Sequence, residues 1–288
     1  MQTSPQCMAC AMNQAWRMTE MIELDPPRQA EFLRMVANYI GKTESGGLIA
    51  ANYTTPIYHM FSEYMGEEDL FAEEKKRQNE LALRLIDHVE EAVRNYDFPI
   101  EAAIRVSASG NLIDSGVGLP ADLEAALIDA SRHALAHDES EDFLAELEGE
   151  PKRLFFIHDN AGEIVFDRLL IELLKEHYPE LIVISCVKAG PIVNDATEED
   201  ARVAGIDRVS DAIITSGSNW VGSPLDHVGQ DFMDEMKACD LFLAKGQGNY
   251  ECLDEYAGGY LLLTAKCKAV ADALNVPIGK KAMARSGK

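Results

Sequence analysis

The stretch "FFIHDNAGEIVFD", Phe155 to Asp167, begins with apolar residues that suit a buried strand and ends with apolar residues at helical spacing. Between them stand Asp159-Asn160 and then Ala161-Gly162-Glu163. A strand that runs through a short turn into a helix is half of a parallel crossover unit. The same grammar recurs down the chain. Short apolar runs appear as "RLFFIHD", "LIVISCVK", "DAIITSG", "DLFLAKG" and "GYLLLTAK". Helical stretches lie between them, such as "EIVFDRLLIELLKEHY", "TEEDARVAGI", a segment near Phe232 to Ala238, and "YECLDEY". Buried strands alternating with helices predict an α/β fold with a mainly parallel sheet covered on both faces.

Upstream the pattern differs. "PPRQAEFLRMVANYIGK" places Phe32, Leu33, Met35, Val36 and Ile40 near helical spacing, and Gly41 follows as a stop. The stretch from Glu67 to Tyr96 has Leu81, Leu85, Ile86, Val89 and Val93 along one side. We therefore expect a helical N-terminal region over residues 1–98 and an α/β core over residues 99–288, packed as one unit. The 288 residues carry 49 acidic and 26 basic side chains, a net charge of 26 − 49 = −23. That balance argues against nucleic acid or an anionic membrane as partner. No apolar run approaches the ~20 residues of a membrane span. The start of the chain lacks a basic segment followed by a long apolar core. A cytoplasmic protein is the expectation.

In an open parallel sheet the ligand lies beyond the carboxyl ends of the strands. The residues just after each apolar run are therefore the ones to read. They are Asp159-Asn160, Lys188 through Asp195, Ser216-Gly217-Ser218-Asn219, and Lys245-Gly246-Gln247-Gly248-Asn249. "SASGNLIDSG", with Gly110, Asn111 and Asp114, has the same character. One such segment is a turn; five in phase make a site.

"DNAGEIVFD", "VKAGPIVNDAT", "AKGQGNYE" and "SASGNLIDSG" together resemble the signatures of the metal-dependent damage-control phosphatases, also called the acidic-residue-methyltransferase-like family. Cys7-Met8-Ala9-Cys10 resembles the N-terminal Cys-x-x-Cys of its compact prokaryotic branch. The resemblance implies a helical region on a Rossmann-like three-layer α/β/α core. It also implies a divalent metal, Mn, Co, Ni or Mg, that serves hydrolysis of small phosphate esters. The family's metal-holding positions correspond to Asp159, Asn160 and Asp195 here, each with the same residue type.

The chemistry is consistent with that resemblance. A phosphate monoester carries about two negative charges and hydrolyses very slowly unaided. A hard divalent cation takes oxygen ligands, neutralises charge and activates water. Asp159, the Asn160 carboxamide oxygen and Asp195 supply such ligands. The plainer alternative is that Asp159 or Asn160 caps the following helix. Glu163 can orient water, meet a substrate hydroxyl, or close a capping box with Asn160; the resemblance implies a substrate contact. Lys245 is expected to meet the phosphate as a point charge, against the alternative of a solvated loop lysine. With Asp159, Asn160 and Asp195 it forms the candidate catalytic set. Gly110, Asn111, Glu163, Ser216, Gly217, Lys245 and Gly246 are the candidate substrate contacts. Asp167 is expected to sit well inside the helix, solvated or beside Arg168 or Lys188, and so to matter little to the metal.

Competing chemistries fit poorly. A haloacid-dehalogenase pattern needs an aspartate where Ala161 stands. Cys186 has Pro191 where a Cys-x5-Arg loop needs arginine, and no Walker-type phosphate loop is present. Two other readings stay open: a non-catalytic binder of a phosphorylated metabolite, and a carboxyl methyltransferase using S-adenosylmethionine. The latter lacks an early glycine loop after the first strand. Cys7 and Cys10 read as two unlinked thiols or as part of a structural metal site or disulfide.

Overall fold

The computed structural model describes residues 1–44, 46–113, 122–149 and 152–287, with Asn111 described in its backbone only. Helices come first: α1 (Pro5–Met21), α2 (Pro26–Lys42), α3 (Ala50–Met65), α4 (Ala72–Arg94) and α5 (Pro99–Ser107). A 3-10 turn, Gly110–Ile113, follows, then α6 (Leu123–Arg132), a two-residue strand β1 (His137–Asp138) and α7 (Ser140–Leu147). The alternating part runs β2 (Arg153–Ile157), α8 (Glu163–His177), β3 (Ile182–Val187), α9 (Glu198–Ala204), β4 (Ala212–Thr215) and α10 (Gln230–Ala238). It ends with β5 (Leu241–Lys245), α11 (Gly246–Leu253), β6 (Gly259–Thr264), α12 (Lys268–Leu274) and β7 (Lys281–Arg285).

The seven strands lie in the order β1-β7-β6-β5-β2-β3-β4. The five strands expected from the apolar runs, β2 to β6, pair in parallel, whereas β7 runs antiparallel to β6 and β1 pairs in parallel with β7, so these two strands at one edge run opposite to the rest. The chain leaves β2 towards β3 and β4, then returns to the other side of β2 as β5. That reversal opens a crevice at the carboxyl ends of β2 and β5, the usual ligand position in such sheets.

Each inner strand buries both faces. Leu154 and Phe156 of β2 join a cluster with α4, α5 and α8, while Phe155 and Ile157 join a second cluster with α10, α11 and α12. A fully buried Phe is worth about 1.5–3 kcal/mol, so this double burial explains why the run has no polar alternation. A third cluster, including Phe32, Val36, Tyr53, Ile57 and Phe61, belongs to α1–α3 and extends to Phe71. The apolar side of α4 (Ala82, Ile86, Val89, Val93) lies in the first cluster, so this helix covers the sheet unit directly. The segment 99–147 is also mostly helical rather than alternating, because α5, α6 and α7 precede the first long strand. Among the described residues no helix is long and apolar enough to cross a membrane.

Candidate functional site

Asp159 and Asn160 leave the end of β2 through a turn that a neighbouring loop holds in shape. The Ala161 N–H donates to Asn194 O at 2.9 Å, and the Ala196 N–H donates to Asp159 O at 2.8 Å. Asn160 and Asp195 thereby face each other as an isolated antiparallel bridge. This short ladder brings donors from two loops, after β2 and after β3, to one point. Val193, two residues before Asp195, has φ 48, a strained value for a β-branched residue.

Helix α8 begins at Glu163 with Gly162 as its cap residue, and no side chain caps it. Asp159 and Asn160 are therefore not its caps. The Gly162 N–H instead donates to Asn79 Oδ1 of α4 at 2.7 Å, and Asn79 Nδ2 donates to Asp200 of α9 at 2.7 Å. Gln78 accepts from Asn194 Nδ2 at 3.2 Å. Two adjacent amides of α4 thus brace both halves of the turn.

Asn160 Nδ2 donates to Asp159 Oδ2 at 3.0 Å and to Glu163 Oε2 at 3.3 Å. Its nitrogen is committed to carboxylates, which makes its oxygen the atom a cation would take. Part of the Asp159 side chain reaches solvent, yet burial, then the charges of Asp195 and Glu163, push its pKa well above the ordinary carboxylate range. Burial likewise raises Asp195 despite Lys188. The Lys188 ammonium donates to Gly222 O and stands 3.5 Å from Asp195 Oδ2. At that separation it is an ion pair without hydrogen-bond geometry, and Asp195 Oδ2 is buried with no hydrogen-bond partner. A Cβ on Gly246, at φ 84, would overlap the Asp159 carboxylate, so only glycine lets the backbone after β5 come this close.

These features fit a hard cation. Asp159, Asn160 and Asp195 are oxygen donors, one Asp195 oxygen is buried without a hydrogen bond, and the charges of Asp195 and Glu163 add to burial in raising the Asp159 pKa. Among the described residues no group of three His, Cys, Asp or Glu side chains is disposed to hold a metal; the set here is two carboxylates and a carboxamide.

Lys245 is fully buried. Its ammonium donates to Glu163 Oε1 at 2.6 Å, Asp167 Oδ1 at 2.7 Å and Ser107 O at 3.1 Å. All three N–H groups are engaged, so contact with a phosphate would require one to be released. Burial alone would lower its pKa, but Asp167 and Glu163 outweigh it and raise the value. Of the two expectations for Asp167, the solvated one fails, and the pairing with a basic group holds with a different partner, Lys245. It is fully buried, accepts from Ser107 Oγ at 2.6 Å, pairs with Lys245, and faces His158 Nδ1 at 2.9 Å. His158 continues through Ser185 Oγ, at 2.9 Å, to Ser210. Neither Arg168 nor Lys188 is the partner.

Gly110 lies against Glu163, where a Cβ would collide with its side chain. Asn111 is in the 3-10 turn beside it, and Asp114 lies outside the described residues. Ser216 and Gly217 sit at the end of β4 and bond within their own surroundings: Ser216 to Val187, Ser218 and Gly229, Gly217 to Thr215. The space above Gly217 is filled by the Gly229 backbone. His158, Gln78 and Asn79 escaped the sequence reading, and Lys188 and Asp167 entered it without the roles the structure gives them. Glu163 and Asp167 do stand four apart, on one helix face, which is the signal that could have exposed the pair as joint partners of one cation.

All six cysteines are free thiols. Cys7 Sγ accepts from the Ser4 N–H at 3.4 Å, at the start of α1. Burial pushes Cys186 up to about 12, as expected of an inert thiol.

Comparison with known proteins agrees with this geometry. The profile described as the damage-control phosphatase ARMT1-like domain matches residues 3–282. A damage-control phosphatase of Pyrococcus horikoshii is 33% identical over 282 residues, covering 97% of this chain and 96% of its own. A damage-control phosphatase of Archaeoglobus fulgidus is 30% identical over 295 residues, covering 97% of each. An uncharacterised protein of Methanocaldococcus jannaschii is 32% identical over 285 residues, covering 96% of this chain and 92% of its own. The crystal structure of a DUF89 family protein from P. horikoshii superposes with a TM-score of 0.90 at 32% identity, covering 99% of both chains. With the motif residues gathered at one crevice and a match that runs nearly from end to end, the chain belongs to the damage-control phosphatase ARMT1-like family.

Proposed function

We propose that the protein is a divalent-metal-dependent phosphatase of small phosphorylated metabolites, such as a phosphosugar or a phosphorylated cofactor fragment. The observation that carries this reading is the Asn160–Asp195 bridge, which brings three hard donors together, one of them an Asp195 oxygen that is buried without a hydrogen-bond partner. Asp159, Asn160 and Asp195 would hold the ion. When bound, Mn, Co, Ni or Mg would neutralise phosphate-oxygen charge and lower the pKa of a water.

The protein's own residues do the rest. In the reaction water adds to phosphorus, the ester P–O bond breaks, and the alcohol leaves carrying a proton. Lys188 brings a buried positive charge beside Asp195, where a dianionic substrate needs it. Glu163 is held by Lys245 through one oxygen and by Asn160 through the other, so its carboxylate has one orientation towards a substrate hydroxyl or water. Lys245, Asp167 and His158 form the buried frame that fixes it. Gly110 and Gly246 keep the backbone close to Glu163 and Asp159. Gly110, Asn111 and Gly246 remain the proposed substrate-facing positions, with Ser216 and Gly217 shaping the loop behind them rather than meeting the substrate.

The test is turnover of a phosphosugar and phosphopantetheine-like panel by protein stripped with chelator and then reloaded. Activity should vanish on stripping and return with Mn, Co, Ni or Mg. Metal-independent turnover, or none with any metal, would reject the reading.

A further inference from the structure

A cavity of about 190 Å³ borders the loop that carries Asp195. It is larger than the ~150 Å³ that accommodates a benzene ring. Tyr58 and Phe61 of α3, Phe71 before α4, and Ile192 and Val193 of the loop form its apolar walls. The strained Val193 is part of this wall and stands two residues from Asp195. His59 reaches across, with Nε2 3.2 Å from Asn219 O, and both residues line the space. Tyr58, on the α3 wall, donates its hydroxyl to Gln14 Oε1 of α1 at 2.7 Å, which leaves its ring face to the cavity.

The charge of the lining is one-sided. Glu63, Glu68 and Asp69 stand at the cavity, and among the described residues no lysine or arginine lines it. Lys75, at 2.8 Å, is already engaged by Asp69, whereas Glu63 and Glu68 lie on exposed positions. A second phosphate or a carboxylate on the substrate would meet Glu63 and Glu68. An aromatic or aliphatic face would meet Tyr58, Phe61 and Phe71.

We propose that this cavity receives the alcohol part of the phosphate ester, and that it admits a neutral group with an apolar face while rejecting one that carries a second anionic charge. The assignment rests on the phosphatase reading and adds a substrate class to it.

The test compares kcat/KM of the metal-loaded protein for phenyl phosphate, 4-carboxyphenyl phosphate and methyl phosphate. The first two leave as phenols of similar acidity; the third is too small to fill the cavity. Phenyl phosphate should be preferred over its carboxy analogue by at least about tenfold. In the double variant Glu63→Gln/Glu68→Gln, both at exposed positions, that ratio should shrink at least about threefold while methyl phosphate turnover holds. Ser62→Phe, which fills the cavity from α3, should slow phenyl phosphate and spare methyl phosphate. Equal use of the two aryl esters, or a ratio unmoved by the double variant, overturns the assignment with the phosphatase reading intact. Failure of all three esters with every metal overturns both.

Discussion

Asp195 holds a buried oxygen without a hydrogen-bond partner, which the Lys188 ammonium at 3.5 Å offsets only in part and a bound metal ion would satisfy. Asp195→Ala should therefore abolish phosphatase activity and weaken divalent-metal binding, read by calorimetric titration, while the metal-free fold persists. Full activity at low metal would remove Asp195 from the ligand set. Asp167 makes a different prediction. Burial would raise its pKa, but Lys245 and His158 outweigh it and hold the carboxyl below the ordinary value of 3.8. A depressed folded-state value means that its stabilising contribution is full above the unfolded value and is lost as pH falls through the folded one. Asp167→Asn leaves Lys245 under-compensated and should cost on the order of 3–5 kcal/mol at neutral pH. Urea titrations across pH should show that cost constant down to about 4 and shrinking below it. A cost that instead grew on acidification would reject the Lys245 pairing. Asp159, Asn160 and Asp195 were legible in the sequence because residue type and position after a strand are both written there. Asp167 was not, because which face of α8 meets the sheet depends on packing that begins at Glu163, and a helical aspartate reads as solvated until its neighbours are known.

Among elements, α4 links the helical region to the site. Asn79 satisfies the N–H of Gly162, the cap residue of α8, and an oxygen of Asp200 at once. Asn79→Ala leaves both unpaired in a buried place and should cost about 1–3 kcal/mol, with metal affinity falling in parallel because the Asp159–Asn160 turn loses its brace. Arg94→Ala on the same helix removes a pair with Glu176 at 2.8 Å, both side chains well exposed, and should cost no more than about 1 kcal/mol and leave the metal untouched. Equal effects of the two in denaturation and metal titration would show that Asn79 is no brace. The five parallel strands were legible because double burial leaves unbroken apolar runs. Helix α3 falls within the expected helical region but had no signature of its own: Pro56 lies inside it and normally breaks a helix, and the surrounding cluster of Tyr53, Ile57 and Phe61 makes the missing bond tolerable. Strand β7 hides in "KAMAR", too short and too mixed to stand out before β6 supplies its partner.

Across the whole molecule, the order β4-β3-β2-β5-β6 makes the crevice, and the net charge of −23 sets its electrical surroundings. So acidic a chain attracts divalent cations at many places, so metal-induced stabilisation alone says little. A specific site adds RT ln(1 + [metal]/Kd), about 2.7 kcal/mol at a hundredfold excess over Kd. The rise in Tm on adding Mn should therefore follow a single-site curve in the wild type and be largely absent in Asp195→Ala. A similar rise in both would mean that diffuse binding dominates.

The protein holds two tryptophans, and they differ in kind. Trp16 is about half exposed on α1, whereas Trp220 stacks on His227 with ring centroids 3.4 Å apart and planes 13° from parallel. His59 meets the same indole edge-on, and the Val221 N–H donates to Thr55 of α3 at 3.3 Å. Trp220 is thus a fluorophore set at the seam between helical region and sheet. With Trp16 replaced by Phe, a change in its intensity or wavelength would report in real time whether that seam loosens as a substrate arrives, with no label added to the protein.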